Sequence, residues 1–305
     1  MLEEQLIVAR WCLYLSLGLL FGLPLFSLYT PQWSQMPGPV RLRTPLALFA
    51  IVGLLVSVWG YLVTTAGMMG VPLLSLDRAT LGLVTLETAV GWAFVVRVVA
   101  LLVVLALACA SRAGGRATVP AITAMAALAI ATLAWSGHGV ATEGMAGWIH
   151  LASDVIHLLA ASAWLGALAA LLWAAATTRG GSAESLHGLH RALDGFAVSG
   201  SVIVGLIVLT GLVNGALLFG VEGGWKLGAS IYGQLLILKL ALFAAMLALA
   251  ASNRFRLTPA IGAGIDGGSA ALARLRQSVA LEAATGVAIL GLVAWLGTLE
   301  PPASG

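Results

Sequence analysis

A polytopic bundle of transmembrane α-helices is the fold class that this sequence predicts, and three observations predict it. Of 305 residues, 60% are hydrophobic and only 9% charged, where a soluble domain carries roughly a quarter charged residues. Long apolar stretches recur along the whole chain, each near the ~20 residues needed to cross a bilayer core. No polar stretch between them is long enough to bury a core of its own, so residues 1–305 are expected to form a single all-α transmembrane domain with no soluble domain.

Eight spans are expected, near 6–29, 46–69, 86–110, 118–136, 148–175, 196–220, 231–251 and 278–298. The opening "MLEEQLIVAR" is acidic and lacks the basic region of a secretory signal, so the first span is expected to be retained. Turn-rich segments separate the next spans: "TPQWSQMPGP", "MGVPLLSLDR", "SRAGGRATVP" and "TTRGGSAESLHGLH". The longest connection, about 252–277, contains "TPAIGAGIDGG" and is expected to be a mobile loop. No internal repeat stands out.

Lys and Arg set the orientation. The odd-numbered loops hold ten, namely Arg41, Arg43, Arg112, Arg116, Arg179, Arg191, Arg254, Arg256, Arg274 and Arg276. The even-numbered loops hold two, Arg78 and Lys226. Basic residues mark the cytoplasmic side, so both termini are expected on the periplasmic side. Cys12 then lies near the outer face and Cys109 near the inner one, too far apart for a disulfide.

Ionisable residues concentrate in the stretch from Trp135 to Gly166. His150, Asp154, His157 and Trp164 fall on one stripe of the fifth span at about 100° per residue. His150 marks the outer mouth and His157 lies about 10 Å deeper, too far for one ion to be held by both through bonds of ~2 Å. Two metal positions, or one position and a relay, are therefore expected. The loop from about 137 to 147 can bring His138, at the end of the fourth span, to His150. His138, His150 and His157 are the candidate metal ligands. Asp154 is a candidate to orient an imidazole from behind, and Glu143 and Met145 in the loop are weaker candidates. Met68 and Met69, in "GMMG", offer thioethers that suit Cu(I), although methionine is also a common apolar filler. A histidine at a membrane interface is often a plain amphipathic anchor. An ionisable group inside a span, however, costs about 2.5–3.5 kcal/mol and is a functional candidate by default.

Further polar residues suggest a polar layer within the bundle: Glu87, Arg97, Asn214 and Lys239 toward the outer half, and Glu282 near the inner end of the last span. Lys239 or Arg97 would neutralise Asp154, and Glu282 would pair with Arg274 or Arg276; ordinary buried ion pairs account for this layer equally well. His187 and His190 read as a solvated cytoplasmic face. No GxxxxGK[ST] loop and no "DKTG" sequence occurs, so no ATP site is expected. Neither CxxC nor CxxCH occurs. A net charge of +3 is accounted for by the loop bias, and no nucleic-acid partner is expected.

Several segments resemble the copper resistance protein D (CopD/PcoD) family of bacterial inner-membrane proteins. They are "SGHG" at 136–139, "HLASDVIHLLAASAWLGAL" at 150–168, "YGQLLILKLALF" at 232–243 followed by "NRFRLTP", and "LRQSVALEAATG" at 275–286 before "PPA". They spread over roughly the C-terminal two thirds, in the family's order. The resemblance implies an eight-span, multi-pass protein of the cytoplasmic membrane that handles copper, as Cu(I) or Cu(II), and moves it inward from the periplasm. It implies that the family's motif histidines are His138, His150 and His157 here, with Lys239 and Glu282 standing in the later motifs. It also implies a separate periplasmic β-sandwich partner similar to CopC.

Three functions follow as alternatives. The first is copper transport without an ATPase motor, received at His138 and His150 and passed to His157; no enzymatic activity is expected of it. The second is a membrane cytochrome with haem b between histidines, against which the other six spans contain no histidine. The third is a non-transporting copper sensor or scaffold.

Overall fold

The computed structural model describes residues 2–30, 42–110, 117–136, 144–178, 183–219, 228, 230–262 and 268–300. Among the described residues the secondary structure is entirely helical. The helices are α1 (Leu2–Tyr29), α2 (Arg43–Met69), α3 (Arg78–Glu87), α4 (Ala89–Ala110), α5 (Thr118–Ala131), α6 (Gly144–Thr177), α7 (Ala183–Phe219), α8 (Ile231–Ser252), α9 (Thr258–Gly262) and α10 (Gly268–Leu296). Among the described residues eight helical stretches are long and apolar enough to cross a membrane, and they coincide with the eight expected spans.

Three features depart from the sequence expectation. A short helix, α3, occupies the connection after α2; Asp77 caps it by accepting a 2.8 Å bond from the Thr80 amide, as an N-cap carboxylate does. Hydrogen bonds from the Thr80 side chain and backbone hold the Asp77 carboxyl below its ordinary range. The expected loop at 252–277 is largely helical: a π-type turn at Asn253–Leu257 carries α8 into α9, and α10 already begins at Gly268. α7 likewise starts at Ala183, well before the expected 196. Hydropathy marks where a helix enters lipid, whereas hydrogen bonding continues the helix beyond it.

α1 packs against α2, α5, α6 and α10. Its Leu17, Leu20 and Phe26 are completely buried, in one cluster with Leu101 of α4, Ile130 of α5, Leu168 of α6 and Leu275 of α10. Water does not drive helices together inside lipid, so close packing through small residues has to. Gly22 of α1 and Gly166 of α6 provide it. A Cβ on Gly22 would collide with the Ser162 carbonyl, and one on Gly166 with the Gly22 backbone. The two main chains touch there, which fixes α6 on one side and leaves its opposite face to α7.

At the far end from His150, arginines finish the helices. Arg43 donates to the Cys109 carbonyl at 2.7 Å, and Arg276 donates to the carbonyls of Ala175 at 2.7 Å and Thr178 at 2.6 Å. Those carbonyls lie at or just past the C-terminal ends of α4 and α6, where no intrahelical donor remains and positive charge is favoured. Cys12 and Cys109 are free thiols.

Candidate metal centre

The polar stripe of α6 faces α7. On α6, His150, Ser153, Asp154 and His157 occupy successive turns of one side; on α7, Thr210 and Asn214 stand one turn apart. Asn214 Nδ2 donates to Asp154 Oδ1 at 2.7 Å. The other carboxylate oxygen of Asp154 lies 3.9 Å from His150 Nε2. Ser153 donates to the Thr210 carbonyl at 3.2 Å. His150 and Ser153 are buried, and Asp154 and His157 half-buried.

His157 Nδ1 and Thr210 Oγ1 share a 2.8 Å hydrogen bond, and the same hydroxyl lies 2.6 Å from the Leu206 carbonyl. The tautomer that satisfies both contacts carries the ring proton on Nδ1 and leaves Nε2 with an unshared lone pair, the form in which imidazole binds a metal. A hydroxyl holding one ring nitrogen while the other is left bare is how proteins aim a histidine ligand.

α8 completes the electrostatics. Tyr232 and Lys239 lie seven residues apart on one face of α8; the Lys239 charge acts on Asp154 and His157, and the Asp154 charge acts on Tyr232. Lys239 reaches Asp154 through space; among the described residues no ion pair closer than 4.0 Å joins them. Arg97 does not serve Asp154 directly. It is buried, and its Nε and Nη2 donate to Thr132, to the hydroxyl at 2.8 Å and the carbonyl at 3.4 Å.

Other candidates are dispersed. Met68 and Met69 are exposed at the end of α2, which packs on α1 and α4. Met145 is exposed in the first turn of α6, and Glu87 is exposed where α3 ends. Glu282 is buried near the other end of the bundle, where it accepts from Asn253 Nδ2 at 2.9 Å; Arg276, expected as its partner, is bound to α6 carbonyls instead. His138 and Glu143 lie outside the described residues, as does the His187 side chain. Among the described residues no group of three or more His, Cys, Asp or Glu forms a metal cluster. Ser153, Thr210 and Tyr232 were not among the residues expected from the sequence. The i, i+4 spacing of Thr210 and Asn214, which matches that of His150 and Asp154, was the available signal.

Residues 1–148 match the family model described as "Copper resistance protein D-like, N-terminal domain", and residues 190–296 match "Copper resistance protein D". Over 98% of both chains, the sequence is 36% identical to "Copper resistance protein D" of Pseudomonas syringae pv. tomato. The chain belongs to the copper resistance protein D family. It is also 28% identical to "Inner membrane protein YebZ" of Escherichia coli (strain K12), over 99% of this chain and all of that one. No solved structure matches. Most of α6, with His150, Asp154 and His157, falls between the two matched stretches of the family models, and the full-length relatives align across it.

Proposed function

We propose that this copper resistance protein D family member is a copper carrier of the bacterial cytoplasmic membrane, not an enzyme, and that copper enters at His150 and is handed to His157 along the α6–α7 seam. The observation that carries the proposal is the 2.8 Å hydrogen bond between His157 Nδ1 and Thr210 Oγ1, which engages one ring nitrogen and leaves Nε2 to an ion. His150, with its Nε2 3.9 Å from Asp154, supplies a second imidazole two turns nearer the start of α6. Imidazole nitrogen is a good ligand for copper, and a nearby carboxylate raises the basicity of the ring it contacts.

Direction comes from charge. Ten Lys and Arg in the odd-numbered loops against two in the even-numbered ones make the His150 end periplasmic, so transfer toward His157 runs inward. The name of the Escherichia coli relative supports the cytoplasmic membrane. From its place in the sequence His138 is assigned to the same entry site as His150, with a periplasmic CopC-like donor delivering copper there.

The test is the copper content of detergent-purified protein after loading, by elemental mass spectrometry, for wild type and for His138→Ala, His150→Ala and His157→Ala. Copper bound by wild type and lost with these histidines is the expected result. Copper indifferent to all three substitutions overturns the proposal. Flux into liposomes then separates a carrier from a sensor: wild type accumulates copper, and His157→Ala, still folded, does not.

A further inference from the structure

We infer that the cavity between Arg10 and Arg97 is a binding site for a small monovalent inorganic anion of the halide class. The cavity, of about 60 Å³, lies between α1, α2 and α4, with Arg10 and Tyr14 on one wall and Arg97 and Phe94 on another. That volume holds a small ion with a few waters.

Arg97 needs a counter-charge. It is 6% exposed inside a membrane-crossing helix, and a guanidinium stays charged in a protein. Its two bonded nitrogens both go to Thr132, a neutral residue. Among the described residues Nη1 has no hydrogen-bond partner and no carboxylate forms an ion pair with Arg97. The ionisable group that acts on it is the Tyr14 phenol. A buried charge is retained only when it is paired and its remaining protons are satisfied.

The cavity has the donors for an anion. Arg10 lines it too, and packs where a Cβ on Gly297 would come within 2.5 Å of Arg10 Nη1; glycine there leaves room for the guanidinium. Among the described residues the Tyr14 hydroxyl is hydrogen-bonded to nothing, and both arginines and Asp154 act on it. Tyr61 contributes its ring only, because its hydroxyl is engaged by Leu81 and Thr85 of α3. Apart from Thr64, the remaining wall is apolar, with Leu13, Phe94 and Leu133. Two guanidiniums, one phenol and an apolar surround suit a small, weakly hydrated monovalent ion.

The test needs no copper. Wild type, Arg97→Gln, Arg10→Gln and Tyr14→Phe are purified in detergent with gluconate as the only anion. Chloride is then titrated at constant ionic strength, reading the line width of its nuclear resonance, with bromide as competitor. Saturable broadening in wild type, displaced by bromide and weakened by about tenfold or more in the arginine variants, is the expected result. If Arg97→Gln does not fold, as judged by size exclusion, Arg10→Gln and wild type decide the matter. Broadening that does not saturate in wild type overturns the inference, as does saturation unchanged in folded arginine variants. Binding of acetate in place of halide overturns the assignment of ligand class.

Discussion

Asp154 of α6 and Asn214 of α7 are joined by a 2.7 Å hydrogen bond across the helix interface, with the amide donating and the carboxylate accepting. The bond turns one carboxylate oxygen away from His150 and leaves the other 3.9 Å from its Nε2. In a medium without water, Asn214 thus does what solvent would do for a surface aspartate. The two residues should behave as a unit. A double-mutant cycle of Asp154→Asn and Asn214→Ala, read by thermal unfolding in detergent, is expected to show a coupling of about 0.5–3 kcal/mol. Strict additivity would mean that the bond contributes nothing.

Thr210 should matter to copper without touching it. Thr210→Val removes the acceptor for His157 Nδ1 while keeping the shape of the side chain, so the ring is free to turn and to move its proton. Copper affinity is expected to fall by about 10–100-fold with the unfolding midpoint little changed, and Thr210→Ser is expected to restore it. Equilibrium copper competition on the three proteins makes the comparison. A valine variant with wild-type affinity would remove Thr210 from the site.

The α1–α6 contact leaves no room for a side chain. Gly166→Leu would push the α1 backbone at Gly22 away, and overpacking of this kind typically costs about 1–3 kcal/mol. The expected result is a lower unfolding midpoint whether or not copper is present, in contrast to the Thr210 variants. Leucine elsewhere on α6, at the half-exposed Trp173 position, is the control that should leave the midpoint unchanged.

Asp77 gives a pH dependence that is confined to α3. Its carboxyl is held below the ordinary value of 3.8 by hydrogen bonds from the Thr80 side chain and backbone. A depressed native value means that the cap is at full strength above pH 3.8 and is lost as the pH falls below it, through the native value. Hydrogen exchange of the amides in the first turn of α3 should therefore lose protection at acid pH in wild type. Asparagine caps a helix equally well without titrating, so Asp77→Asn is expected to keep that protection; equal loss in both proteins would remove Asp77 as the cause.

The helices were legible because lipid demands long apolar runs, and eight of them stand out in the sequence. What hydropathy could not mark was the polar end of a helix. Arg191 of α7 and Arg274 and Arg276 of α10 sit on continuous helix that hydropathy alone reads as loop. α3 was missed although its Asp77 cap is visible, because ten residues are too few to span and its mean hydropathy is low. In the site, the stripe of His150, Asp154 and His157 followed from helical periodicity within one segment. Thr210 did not, because threonine is at home in any membrane helix and only the packing of α6 on α7 brings it to His157 Nδ1. The same limit explains Glu282: sequence proximity suggested Arg276, but that guanidinium is committed to the end of α6 and Asn253 takes its place.

Arg43 and Arg276 act at two times in the life of the chain. During insertion only their charge counts, and lysine would be read identically by the machinery that sorts loops between the two sides of the membrane. After folding, their planar forks reach carbonyls on neighbouring helices, Cys109 for one and Ala175 with Thr178 for the other. A lysine has neither the reach nor the paired donors to replace the second of these. Drift from arginine to lysine at position 276 would thus produce a protein of correct topology with an unlatched helix end, a defect invisible to any assay of orientation.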